Sequence, residues 1–143
     1  MRELTDEERV RVEAALYEDE ALVAQLQTTE ELHAFVSQYN FDNMEGANYI
    51  ISNPNLAKGT ALLFFWLSDP VYHFSKDDSP WLSKSDSPWR QLLIELQERY
   101  IAGFYTKDSV SANPKEIAVG YWEAPNLQIP IAEVMRQPTG ENE

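Results

Sequence analysis

The feature that most constrains the fold is one apolar run, Ala61–Leu67, flanked by Asn53-Pro54 and Asp69-Pro70. Its seven residues are far fewer than the roughly 20 that a helix needs to cross a bilayer. Because the run has no polar side at any helical angle, we expect a central helix that is buried all round. A buried strand is the competing interpretation of so short a run, but no alternating segments are visible to pair with it.

The residues around this run predict where the central helix begins and ends. Asn53 or Asn55 can serve as the N-cap with Pro54 in the first turn, and Asp69-Pro70 supplies the stop. Gly59 indicates either a close approach by a neighbouring helix or a kink. We expect the remaining helices to pack around this segment.

Two capping signals predict helices before the central one. Thr5 and Thr28 each precede a Glu by three residues, which is the capping-box pattern of a helix start. The first of these helices has Val12, Leu16 and Val10 as its apolar side, and a short helix, Ala21–Gln27, follows it. The second has the i, i+3, i+4, i+7 spacing of one buried stripe, formed by Leu32, Phe35, Val36 and Tyr39. Asp42 and Glu45 can cap a further helix that ends before Asn53-Pro54.

The C-terminal half predicts one long helix and two short ones. Ser87-Pro88 starts an amphipathic helix that runs through Gly103, with Glu95 and Arg99 ordered for an i, i+4 ion pair. Its apolar side is formed by Trp89, Leu92, Leu93, Leu96, Tyr100 and Phe104, and its outer, polar side by Arg90, Gln91, Glu95, Gln97, Glu98 and Arg99. Asn113-Pro114 starts another helix, and Ile131–Arg136 allows a last short one.

These elements predict an all-α fold with a single helical domain over residues 1–143. The expected architecture is a compact, irregular bundle of six to eight helices, with a helical-repeat-like stack as the alternative. Residues 73–88, rich in Ser, Asp and Pro, are expected to form an exposed loop, and residues 137–143 a flexible tail.

Composition excludes several classes of protein. The chain has no cysteine, which removes disulfide frameworks, thiolate metal sites and cysteine nucleophiles. Its net charge of −13 argues against nucleic acid as a partner, because phosphate binding needs clustered Lys and Arg. The charged N-terminus does not fit a secretory signal, and no membrane span is expected, so a cytoplasmic location is the simplest.

No catalytic, cofactor or metal signature emerges. His33 and His73 have no carboxylate or second histidine at a spacing that a metal site needs. The serines of residues 75–87 lack a nucleophile-elbow context, and the five glycines lie too far apart for a phosphate loop. We therefore expect a protein that is not an enzyme and uses no cofactor.

Charge and aromatic residues indicate a protein-binding surface. Residues 1–31 hold ten acidic and three basic residues, so the acidity is concentrated at the N-terminal end. Tyr72 and Trp81 lie in a polar, acidic segment, and aromatic anchors ringed by carboxylates are typical of binding hot spots. The candidate interface consists of Asp42, Glu45, Tyr72, Asp77, Asp78 and Trp81. The alternative is that these aromatics tuck into the bundle.

The segment "YNFDNMEG…ISNPNLAKGTALLFFWLSDP" resembles a bacterial family of domains of unknown function, number 4274. That family has a Tyr-Asn-Trp-Asp-Asp-Gly pattern, an Ile…Asn-Pro stretch, and Gly-Thr-Ala-Leu before an apolar run ending in Trp. The matching residues here are Tyr39, Asn40, Asp42, Gly46, Asn53, Pro54, Gly59, Thr60, Ala61, Leu62 and Trp66; Phe41 replaces the Trp. The resemblance implies a small helical bacterial domain with no established chemistry.

A small, acidic, cysteine-free chain without motifs suits an immunity or antitoxin-like protein, whose partner is a basic bacterial toxin. A helical domain with a small-molecule or enzymatic pocket of aromatic and carboxylate groups, around Trp66 or Trp122, is the alternative. A third hypothesis is a scaffold that pairs with itself through an exposed apolar helix face.

Overall fold

The computed structural model describes residues 2–17, 19–39, 44–75, 87–117 and 127–139. Within these ranges the chain folds into seven α-helices and two short 3₁₀ helices, and its only β-pairs are isolated bridges, so the all-α prediction is confirmed. The α-helices are α1 (Asp6–Tyr17), α2 (Thr29–Gln38), α3 (Met44–Ser52), α4 (Lys58–Leu67), α5 (Pro70–Phe74), α6 (Pro88–Ile101) and α7 (Pro114–Ile117). The 3₁₀ helices, Glu20–Gln25 and Glu133–Arg136, take the places of the short helices predicted at Ala21–Gln27 and Ile131–Arg136.

Helix α4 is the centre of the fold, as the apolar run predicts. It packs against α2, α5, α6 and α7. Its buried residues are Gly59, Thr60, Ala61, Leu62, Phe64, Phe65 and Trp66. The prediction of burial on all sides is wrong at Leu67, which is exposed because the last turn of α4 reaches the surface.

The start of α4 differs from the prediction. The helix begins at Lys58, after Ala57, and no side chain caps it. The Lys58 N–H instead donates to the Lys107 carbonyl at 2.8 Å, so the loop after α6 satisfies a donor of the first turn. Asn53 shapes the preceding turn: its side chain accepts from the Asn55 N–H at 2.9 Å and donates to the Leu26 carbonyl at 3.0 Å.

Gly59 marks a close approach, and the neighbour is a loop, not a helix. A Cβ atom added at Gly59 would lie 2.1 Å from the Val110 carbonyl oxygen, closer than any real packing contact. The loop after α6 therefore lies directly on the first turn of α4. Only glycine leaves room for it.

Helix α5 follows α4 after one sharp turn. Asp69 adopts a left-handed conformation, with φ of 58°, and its side chain accepts from the Tyr72 N–H at 3.2 Å. Pro70 then occupies the first helical turn. His73 and Phe74, the first residues of the predicted exposed loop, are helical, and Phe74 is buried. Residues 76–86 of that loop lie outside the described residues.

The C-terminal segment is tied to the body of the fold. Residues 127–129 meet the end of α5, where the Phe74 carbonyl accepts from the N–H groups of Gln128 at 2.7 Å and Ile129 at 3.1 Å. Thr139 exchanges two backbone hydrogen bonds of 2.9 Å with Ala112. The first residues of the predicted tail are thus paired; residues 140–143 lie outside the described ranges.

Candidate functional site

Glu8 lies in the first turn of α1, and its carboxylate is directed toward Thr28 at the start of α2. Its neighbour Thr5 completes the predicted capping box, with Glu8 accepting from the Thr5 N–H at 2.8 Å. The Glu8 carboxylate also accepts two hydrogen bonds from the Arg2 guanidinium, at 2.6 and 2.7 Å, and one from the Thr28 hydroxyl at 2.8 Å. The Arg2 and Thr5 bonds hold the pKa of Glu8 far below its usual range. Glu8 is therefore ionised and neutralised from within the fold.

Glu31 completes the second predicted capping box and is entirely buried. It accepts from the Arg11 Nε at 2.6 Å and from the N–H groups of Gln27 and Thr28 at 3.2 and 3.1 Å. Burial alone would raise the pKa of Glu31, but these hydrogen bonds outweigh burial and lower it. The negative charges of Glu8 and Glu31 are thus balanced by the positive charges of Arg2 and Arg11.

The opposite face of α1 presents apolar side chains to solvent. Val10 is 67% exposed and Tyr17 is 75% exposed, with Ala14 half-buried between them. The prediction that Val10 belongs to the buried side of this helix is therefore wrong. The carboxylates of Asp6, Glu7 and Glu13 are exposed beside this strip. We call the face formed by Asp6, Glu7, Val10, Glu13, Ala14 and Tyr17 the outer face of α1.

Helix geometry explains this inverted arrangement. At 100° per residue, Val10, Ala14 and Tyr17 fall along one line, whereas Glu8 falls on the other side of the helix with the buried Val12 and Ala15. Amphipathic helices usually turn their apolar residues inward. Here Glu8 and Arg11, with their ion pairs, occupy part of the inner face of α1. The apolar residues Val10 and Tyr17 lie on the outer face.

Tyr72, on α5, is the predicted interface residue whose side chain is described, and it is 47% exposed. Its ring meets the His73 ring edge-on at 5.1 Å, and the His73 ring stacks on that of Trp89 at 6.3 Å. This aromatic row joins α5 to the start of α6. Tyr72 can therefore contact a partner from a supported position.

Arg90, predicted on the outer, polar side of α6, is instead buried beneath this row. Its guanidinium donates to the carbonyls of His73 at 2.6 Å and Ser75 at 2.7 Å, and to the Gln128 side chain at 3.3 Å. Gln97, also predicted outside, is buried and accepts from the Ala132 N–H at 3.0 Å. Both side chains fasten the C-terminal segment to α6.

The described part of the chain does not test the other predicted interface residues. Asp42, Asp77, Asp78 and Trp81 lie outside the described residues, and Glu45 lies in α3 with its side chain outside that description. Their roles stay predictions. The outer face of α1 was missed by sequence reasoning, although the i, i+4, i+7 spacing of Val10, Ala14 and Tyr17 is a signal that could have found it.

The two histidines and Trp66 occupy structural positions. His33 Nδ1 lies 2.9 Å from the Thr60 hydroxyl, which joins α2 to α4, and burial lowers the pKa of His33. The indole N–H of Trp66 donates to the Met135 carbonyl at 2.7 Å inside the core. Trp122 lies outside the described residues. Within the described ranges, no three His, Asp or Glu side chains are grouped as a metal ion would require.

Fold and surface define an acidic, all-α protein with paired internal charges. The chain belongs to the family described as Domain of unknown function (DUF4274), whose sequence profile matches residues 27–101, more than half of the chain. No curated protein and no solved structure matches it. Among the described helices, none has the length and apolar character to cross a membrane.

Proposed function

We propose that this chain is a non-enzymatic, cytoplasmic domain that binds a basic protein, in the manner of an immunity or antitoxin protein that occludes a bacterial toxin. The supporting observation is that the arginines of the N-terminal segment, residues 1–31, are occupied in ion pairs within that segment. All three arginines of residues 1–31 pair with carboxylates of the same segment. The remaining carboxylates give residues 1–31 a net negative charge.

Such a charge distribution favours a cationic partner. Long-range attraction between an acidic face and a basic cleft accelerates association and rejects acidic competitors. Tyr72 would act as an aromatic anchor, with Asp42, Glu45, Asp77, Asp78 and Trp81 as further candidate contacts. The association should therefore be fast and weaken as salt screens the charges.

The test is affinity purification of the tagged full chain from cells that naturally make it, at low and at high salt. The proposal expects one stoichiometric basic protein whose recovery falls at high salt. An immunity role further requires that this protein stops growth when expressed alone and not when co-expressed with the chain. Recovery of no basic protein at low salt would overturn the proposal.

Variants then test the predicted contacts with the recovered partner. Tyr72→Ala and the double variant Asp77→Asn/Asp78→Asn should each weaken binding. Ile101→Ser, which alters an exposed apolar residue near the end of α6, is the matched control and should bind normally. Unchanged affinity of all variants would remove these residues from the interface.

A further inference from the structure

We propose that the outer face of α1 is a docking surface for a basic, amphipathic segment of a protein partner. This inference rests on the proposed function, and it adds to the candidate contacts around Tyr72 a second surface with a stated partner chemistry. Val10 and Tyr17 would form its apolar centre and Asp6, Glu7 and Glu13 its acidic border. Three properties of the face support it: its shape, its charge and its fixed position.

The first property is a continuous apolar strip. Val10 and Tyr17 lie two turns apart, about 10 Å along the axis, and Ala14 fills the space between them. Single exposed apolar residues are ordinary, whereas aligned ones form a patch that another protein can cover. Tyr17 adds an aromatic ring with a hydroxyl, the kind of side chain that is enriched at binding hot spots.

The second property is negative charge, exposed to solvent, on both sides of the strip. Among the ion pairs of the described residues, none involves Glu7 or Glu13, although the charge of Glu7 also helps to raise the pKa of Arg11. Asp6 reaches Arg9 at 3.8 Å, and because both side chains are exposed this pair is weak. A partner with Lys or Arg around an apolar stripe matches this pattern. A second copy of the chain would bring like charges together.

The third property is that α1 cannot easily turn its apolar strip inward. Rotation of the helix to bury Val10 would take Glu8 away from Arg2 and Thr28, and Arg11 away from Glu31. It would also remove Val12 and Ala15 from the core. The outer face is therefore presented in one orientation, and binding to it requires little reorganisation.

The test uses two synthetic helical peptides as probes, one of Leu and Lys and one with every Lys replaced by Glu. The full chain, labelled with ¹⁵N, is titrated with each peptide at low salt and followed by NMR. We expect the Lys peptide alone to bind, with the largest shifts in α1. The double variant Val10→Ser/Tyr17→Ser should bind it at least tenfold more weakly, and Glu7→Lys/Glu13→Lys should do the same.

The matched control removes two exposed apolar residues elsewhere, Ile101→Ser/Val134→Ser, and should bind as the parent does. Equal weakening of peptide binding in the control would overturn the inference. NMR shifts centred on α5 near Tyr72 would also overturn it, but they would leave the proposed function standing. A concentration-dependent doubling of mass that Val10→Asp abolishes would overturn it in favour of self-association. Failure of the affinity purification above, with the Lys peptide still bound at α1, would overturn the proposed function alone.

Discussion

The Nε atom of Arg11 lies 2.6 Å from a carboxylate oxygen of Glu31, and this contact joins α1 to the first turn of α2. The other Glu31 oxygen accepts from the N–H groups of Gln27 and Thr28. One buried carboxylate thus caps a helix and anchors its neighbour.

Removal of this cap should destabilise the fold measurably. Thr28→Ala should lower the free energy of unfolding by about 1–2 kcal/mol, the usual cost of a lost N-cap. Glu31→Ala should cost more than Thr28→Ala, because it leaves two backbone donors and Arg11 without their acceptor. Urea unfolding measures both. Arg9→Gln, at the exposed pair with Asp6, is the control and should change stability by less than about 0.5 kcal/mol.

The lowered pKa values of Glu8 and Glu31 predict a loss of stability in acid. Below the ordinary Glu pKa of about 4.3, the unfolded chain binds protons that the folded chain does not. Stability contributed by these two groups is therefore complete above about pH 5 and declines as the pH falls toward the folded pKa values. Urea midpoints from pH 6 to pH 3 should fall less steeply for Glu8→Gln than for the parent. Parallel curves would show that folding does not lower the pKa of Glu8.

Gly59 should not tolerate any side chain. Gly59→Ala places a methyl group against the Val110 backbone, so the loop must move, and a loss of about 3 kcal/mol or failure to fold is expected. Gly103→Ala is the informative comparison, because Gly103 has a φ of 81° but open space around it. There the cost should be about 1 kcal/mol, from backbone strain alone. Similar losses in both variants would argue against the close approach at Gly59.

Arg90 should not be replaceable by lysine. Arg90→Lys keeps the charge but cannot reach the His73 and Ser75 carbonyls and Gln128 together. A loss of about 1–3 kcal/mol is expected for a buried acceptor left without a donor. Arg136→Lys, in the second 3₁₀ helix and only half-buried, is the control and should be nearly neutral. Equal thermal midpoints for the parent and Arg90→Lys would contradict the assigned hydrogen bonds.

Local signals predicted most of the fold. The capping boxes at Thr5 and Thr28, the proline at the start of α6 and the buried stripe of α2 depend on neighbours within one or two turns, so sequence spacing is enough to find them. The Glu95–Arg99 pair, at 3.0 Å, is of the same kind.

The predictions of burial were wrong where a residue from another part of the chain determines whether a side chain is buried. Arg90 is charged and lies on the polar side of its helix by spacing, but its acceptors come from α5 and from residue 128, far away in sequence. Glu8 is buried because Arg2 balances its charge and the Thr28 hydroxyl, 20 residues away, donates a hydrogen bond to it; with Glu8 on the inner side of α1, Val10 lies on the outer side. The spacing of polar residues along a helix predicts which side faces solvent, but it does not show whether a charged side chain has a hydrogen-bond or ion-pair partner in the folded protein.

The contact between Gly59 and Val110 has a consequence for the extent of the domain. The match to the family profile ends at residue 101, yet Val110 covers the first turn of α4, and Trp66 donates to the Met135 carbonyl. The stretch that the family profile matches is therefore shorter than the stretch whose residues pack around α4. A fragment limited to residues 27–101 would lack Val110 and Met135, and with them the backbone that covers the first turn of α4 and the acceptor of the Trp66 indole N–H.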